Sequence, residues 1–261
     1  MAKRKEHTII SASTGQELKP GESAVPQAQT THTIQQAAPV GNARTLRIVA
    51  VILWVAAIVM EVLAAWQIIR AANLNSAGIA VPSSARLIII GLIVLDAVCV
   101  IIGAQLWKKA NHIAPASEAN PTKFWLWNNM GVIAACVALV PLIILMLVNK
   151  DLDKKTKVVC TIVAVIALLV SGLLGYEFNP ISQEEMTAQV EAIADANIEQ
   201  VYWTPHGHVY HTHEDCQALN QTETLTAGSV EEAIAANRTR LCFFCAKQDN
   251  ITGVATETPE E

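Results

Sequence analysis

Three cysteines and one histidine near the end of the chain carry its most specific chemistry. Cys242-Phe243-Phe244-Cys245 is a Cys-x-x-Cys pair, a spacing that lets two thiolates take adjacent corners of one tetrahedron. Cys216 lies upstream, and His211 precedes it. The four make a Cys₃His set, a usual structural zinc composition. Thiolate and neutral imidazole suit Zn²⁺ better than hard cations. A disulfide framework would leave one of the three thiols unpaired. Two alternatives stay open. Cys242 and Cys245 could form a redox dithiol, although the βαβ context of a thioredoxin site is missing. One of His206, His208 or His213 could replace His211 as ligand. A closed Cys₃His site keeps no open position for a catalytic water. The chain has no phosphate loop, nucleophile elbow or His-Glu-x-x-His run. No catalytic or cofactor-binding residue is therefore assigned, and the protein is read as a non-enzyme.

The second chemical feature is a pair of acids, Glu61 and Asp96, each inside a long apolar run. Glu61 lies eight residues before Ile69 and Asp96 nine residues after Leu87, so in a helical hairpin both sit roughly 12–14 Å below the same face. An ionised carboxylate at the centre of a bilayer costs about 2.5–3.5 kcal/mol on insertion scales. The two are read either as an intramembrane proton or cation relay or as interhelical glue. In the second reading they bond each other, Asn128, Asn129 or Gln105.

The elements that must position these groups follow from composition. The chain has 261 residues, 52% of them hydrophobic and only 16% charged, against roughly 25% charged in soluble domains. Net charge is +2 over residues 1–45, +5 over 46–175 and −12 over 176–261. The chain as a whole is not a basic nucleic-acid binder. Four runs, 46–69, 87–106, 124–148 and 158–174, have the length of about 20 apolar residues needed to cross a bilayer. The fold class is thus an α-helical membrane protein with four transmembrane helices, plus a small α+β zinc-ribbon-like C-terminal module. Trp66, Trp107, Trp125, Trp127 and Tyr176 lie near the predicted ends, where amphipathic rings collect. Pro141 is expected to kink the third span, and Gly91, Gly103, Gly131, Gly172 and Gly175 to allow close helix approach. Cys99, Cys136 and Cys160 read as small buried hydrophobes.

Residues 1–45 are polar and expected to be disordered. Lys3-Arg4-Lys5 precedes no apolar core of secretory length. Residues 176–200 form a helical stalk opened by a Ser182/Glu185 capping box with Ile181 and Met186 as its staple. Residues 201–247 form the zinc-binding module. There, Val201–Thr204 and His208–His211 make a hairpin, and Ser229-x-x-Glu232 caps a further helix. Residues 248–261 are expected to be a disordered acidic tail. Basic residues divide almost equally between the two sets of loops. The basic N-terminus and the unpaired thiols favour both termini in the cytoplasm.

The order Val-Tyr-x-Thr-x-x-Gly, Tyr210-His211, Cys216 with Leu219, and the closing Cys-x-x-Cys resembles a small bacterial metal-binding module. That module is similar to the N-terminal metal-binding domain of the Ada DNA-repair protein and occurs appended to nucleases and membrane proteins. The resemblance covers about residues 201–247, and its metal positions fall on His211, Cys216, Cys242 and Cys245. Leu241 departs from the Pro often found there. Alkyl transfer is not implied, because the acidic tail would be repelled by DNA. The resulting expectation is a bacterial membrane protein that binds Zn²⁺ and acts in binding or scaffolding. Its partners would be the lipid bilayer and a protein docked on the zinc module, with no nucleic acid. Two other functions fit the same residues: a small proton- or cation-coupled transporter using Glu61 and Asp96, or a membrane-anchored metal or redox sensor.

Overall fold

A computed structural model describes residues 7–19, 22–25 and 40–257. It contains two compact units. One joins Arg44–Lys108 to Trp125–Phe178. The other joins the described parts of Met1–Ala43 and Asn179–Glu261 to Lys109–Phe124.

The first unit is built on helices α1 (Val40–Ser76), α2 (Ser83–Ile113), α3 (Pro121–Asn128), α4 (Met130–Val148) and α5 (Lys154–Gly175). Four of these, α1, α2, α4 and α5, are long and apolar enough to cross a membrane. That is consistent with a multi-pass membrane protein. Three of the four, α1, α2 and α5, overrun the apolar stretches of the sequence at both ends. Many large apolar side chains point outward, Val62, Leu87, Leu169 and Leu173 among them. Water would penalise such a surface, whereas lipid tails do not. The interior is lined by alanines (Ala57, Ala64, Ala71, Ala135, Ala138 and Ala164) and larger residues such as Ile89, Ile93, Leu139 and Leu142.

Small residues set the closest approaches. A Cβ on Gly131 would meet the Gly175 carbonyl oxygen at 2.7 Å, so α4 and α5 touch backbone to backbone there. Gly103 lies under the Trp54 ring, while Gly91 and Gly172 face open space. Close approach therefore holds for three of the five glycines. Of the interfacial aromatics, Trp66 and Trp125 are exposed. Trp107 instead turns inward, packs at a tilt against the Trp54 and Trp127 rings, and donates its indole N–H to the Trp127 carbonyl.

The third apolar run is divided between α3 and α4. α4 runs through Pro141, and the break falls at Asn129. The Asn129 amide side chain donates to the Trp125 carbonyl at 2.9 Å, the local back-bonding by which asparagine competes with helix continuation. Cys160 is buried and Cys99 half-buried, but Cys136 is exposed, which corrects its reading as a buried hydrophobe.

The second unit is a six-stranded mixed sheet in the order β1-β4-β2-β3-β5-β6. Its strands are β1 (Thr8–Ser11), β2 (Val201–Trp203), β3 (Val209–His211), β4 (Thr224–Gly228), β5 (Arg240–Cys242) and β6 (Thr256–Glu257). The hairpin of β2 and β3 pairs Tyr202 with His211 and Trp203 with Tyr210. Helices α6 (Gln183–Asp195), α7 (Val230–Ala235) and α8 (Phe243–Gln248) complete it. Both sequence-predicted capping boxes, Ser182/Glu185 and Ser229/Glu232, are present. All three helices stop at an asparagine with positive φ: Asn197, Asn237 and Asn250. Each supplies the left-handed residue of a helix C-terminal motif, as when Ile198 N–H returns to the Ile193 carbonyl.

Three expectations about this unit are corrected. Residues 7–19 are not disordered: β1 pairs in parallel with β4, and Leu18 N–H returns to the Ile9 carbonyl. The short Thr8-Ile9-Ile10-Ser11 run finds a sheet neighbour that local composition cannot reveal. Residues 183–195 are not a free stalk, since Gln189 and Ile193 are buried and Met186 and Val190 pack on the module's core. The 248–261 tail contributes β6, paired with β5. Residues 1–6, 20–21, 26–39 and 258–261, also expected to be disordered, lie outside the described residues.

Candidate metal centre

The sheet register builds the site. β3 and β5 run in parallel with Val209 opposite Arg240 and Tyr210 opposite Leu241. His211 and Cys242 are the last residues of these neighbouring strands and end side by side. Cys242 is also the N-cap of α8, which places Cys245 in its first turn. Cys216 enters from the loop after β3, just before a short 3-10 turn at Gln217–Leu219. The ligand-type atoms of His211, Cys216, Cys242 and Cys245 all lie within 4.8 Å of one another, and all four residues are buried.

The spacing fits a small tetrahedral ion. With zinc–sulfur bonds of about 2.3 Å and zinc–nitrogen bonds of about 2.0–2.1 Å, the tetrahedron has edges of roughly 3.8 Å between sulfurs and roughly 3.6 Å between sulfur and nitrogen. Cys216 Sγ stands 3.9 Å from Cys242 Sγ, and Cys245 Sγ stands 3.9 Å from His211 Nδ1. The donor set is three sulfurs and one imidazole, which suits soft and borderline cations better than oxygen-preferring ones.

The electrostatics of the metal-free cluster also favour a cation. Hydrogen bonds from Cys216 and Cys242 drive the Cys245 thiol down toward thiolate, helped by His211 and the His213 backbone N–H. The same bonds push Cys216 up, against a hydrogen bond from the Ala218 N–H. Burial alone would lower His211, but its bonds to the Cys242 and Cys245 sulfurs hold its pKa up at about 9.

A surrounding shell fixes the ligands. Thr212 Oγ1 donates to Asp249 Oδ2 at 2.5 Å, and His213 Nε2 meets Asp249 Oδ1 at 2.7 Å. These bonds close the loop between His211 and Cys216 onto the end of α8. On the other side Tyr210 donates to Gln189, whose amide donates to the Thr239 carbonyl. His213 is thus engaged by Asp249, while His206 is exposed and His208 touches Asn179 at 3.4 Å. None of these three belongs to the buried group of four. Sequence reasoning missed Gln189, Thr239 and Asp249. Gln189 left one signal, a polar residue inside the apolar stripe Met186, Val190, Ile193.

The structure places the two acids in the helical unit. Asp96 is 1% exposed and neither carboxylate oxygen has a hydrogen-bond partner. Glu61 is half-buried and close enough to act on Asp96 electrostatically. The expected bonds from Gln105 and Asn129 do not form, because those amides donate to the Leu174 and Trp125 carbonyls.

No family model, curated protein or solved structure matches this chain.

Proposed function

We propose that the protein is a multi-pass membrane protein whose C-terminal unit is a zinc-ribbon-like module acting in binding or scaffolding. One Zn²⁺ on His211, Cys216, Cys242 and Cys245 would hold the module folded and perform no chemistry. The observation that carries this reading is the burial of three sulfurs and one imidazole nitrogen within 4.8 Å of one another. Four protein ligands complete a tetrahedron and leave no position for a reacting water. The same four residues carry the resemblance to the bacterial Ada-like metal-binding module.

We place both termini in the cytoplasm of a cell-membrane protein. Pairing of β1 with β4 supports a shared side, since one strand precedes the first long apolar helix and the other follows the last. Reduced thiols and the basic Lys3-Arg4-Lys5 favour the cytoplasmic side. The net charge of −12 over residues 176–261 makes a protein a better partner for the module than nucleic acid.

Metal analysis of the full chain purified in detergent tests the zinc reading. One zinc per chain is expected, lost in Cys216→Ser, Cys242→Ser and Cys245→Ser and retained in His206→Ala and His208→Ala. A metal-free native chain with a folded module would overturn it. A reporter fused after the last residue reads the orientation separately.

A further inference from the structure

We propose that zinc loading of the C-terminal module holds down the connection between α2 and α3, with helix α6 as the clamp. The proposal rests on the zinc reading above and gives the metal a second role, because its state then reaches the chain between the second and third apolar runs.

Three observations carry it. First, the connection belongs to the zinc-bearing unit: Lys109–Phe124 falls in the same compact unit as Asn179–Glu261. Second, it is bonded to the first turn of α6 in both directions. Glu184 accepts from the Ser117 hydroxyl and from the Glu118 N–H, the latter at 2.9 Å. In return the Gln183 N–H donates to the Ala116 carbonyl at 3.1 Å. Third, the same helix is seated on the metal-bearing strands. Gln189 is fully buried, accepts from the Tyr210 hydroxyl at 2.9 Å and donates to the Thr239 carbonyl at 2.9 Å. Tyr210 precedes His211, and Thr239 lies three residues before Cys242. Glu184 and Gln189 are five residues apart on α6, about 7.5 Å along one helix.

The metal makes this contact conditional. In a small metal module the free energy of binding the ion is free energy of folding. Losing the ion releases the ends of β3 and β5, where His211 and Cys242 sit, and so loosens the seat of Gln189. The bonds to the connection cannot hold α6 by themselves, since Gln183 and Glu184 are exposed and a hydrogen bond contributes only about 0.5–1.5 kcal/mol net. The α2–α3 connection is therefore ordered with zinc bound and open without it. In a four-span chain the connection after the second span emerges on the side of both termini, so the clamp needs no passage through the bilayer. Linkage makes the coupling reciprocal: what zinc does for the clamp, the clamp does for zinc affinity.

The test uses the full chain in detergent, with zinc counted in every sample. Hydrogen exchange of residues 114–120 is compared in the zinc-loaded chain and after a chelator has stripped it. The Glu118 amide should be protected with zinc and exchange about tenfold faster without it, as exchange follows local opening. Protection that survives zinc removal overturns the coupling and leaves the zinc reading standing. A chain that neither carries nor takes up zinc overturns that reading, and the coupling with it. If the stripped chain aggregates, chelator competition on loaded chains decides the matter. Ser117→Ala/Glu184→Ala should bind zinc about fivefold more weakly or worse, in the range of site-to-site couplings. Glu184→Gln keeps an acceptor oxygen for both donors and should bind nearly as well as the native chain. Unchanged affinity in the double variant overturns the clamp. So does a Glu184→Gln chain as weak as the double variant, because the charge at the start of α6 would then be the cause and not the contact.

Discussion

The Tyr210 hydroxyl donates to Gln189 Oε1 at 2.9 Å, and this bond joins the residue before His211 to helix α6. Both side chains are fully buried. Gln189 also donates to the Thr239 carbonyl, three residues before Cys242. One amide thus braces two of the four metal-ligating segments. Burial pushes the Tyr210 pKa upward, so it stays a donor throughout the working range.

The first prediction follows from that brace. Tyr210→Phe leaves one buried acceptor unsatisfied and should cost about 1–3 kcal/mol. Gln189→Ala strands both the hydroxyl and the Thr239 carbonyl and opens a void, so its cost should be larger. Hydrogen exchange of the α6 amides in the full chain reads this directly. Unchanged protection in Gln189→Ala would show that α6 docks without the amide.

The second prediction concerns Asp249, which ties down Thr212 and His213 beside the metal ligands. Asp249→Ala should keep one zinc per chain but weaken binding, by about 10–100-fold as for other residues that orient ligands. His213→Ala should weaken it less, since Thr212 still holds the loop. Competition with a chromophoric chelator measures both. Complete zinc loss in His213→Ala would make that histidine a ligand.

The third prediction is steric. Gly131→Ala must displace the α5 backbone, because its Cβ would sit 2.7 Å from the Gly175 oxygen and 2.8 Å from the Ala104 methyl. Overpacking of this kind costs about 1–3 kcal/mol. Gly172→Ala, which meets nothing within 4 Å, should be neutral or slightly stabilising. Thermal unfolding in detergent should separate the two.

How far these features could be read from residues alone depended on their range. The apolar runs stand out because stretches of roughly 20 mostly apolar residues are rare outside lipid. The four ligands were legible because coordination demands particular atoms at close spacing. The capping boxes at Ser182 and Ser229 are local, and local hydrogen bonding is written in adjacent residues. The pairing of Thr8–Ser11 with Thr224–Gly228 spans over two hundred positions, and nothing near residue 8 encodes its partner. The third run divides at Asn129, whose side chain bonds the Trp125 carbonyl, while α4 continues through Pro141. That bond is a matter of rotamer, and composition is blind to it.

The last prediction is that zinc binding releases protons and strengthens with pH. In the metal-free cluster the His211 pKa is raised to about 9, above its unfolded value of about 6.5. Its contribution to the metal-free fold is therefore fully present below about pH 6.5 and is lost as pH rises through about 9. Zinc requires the neutral ring, so below about pH 9 each binding event must expel the His211 proton. The Cys216 thiol, pushed up by its sulfur neighbours, must surrender a second. Apparent affinity should then climb roughly tenfold per pH unit for each proton released. Titration calorimetry in two buffers of different ionisation enthalpy counts the protons. His211→Ala should remove one of them and flatten the slope by one decade per unit. A pH-independent affinity in the native chain between about pH 6 and 8 would mean that zinc is held by groups already deprotonated, and the His211–Cys216 assignment would fall with it.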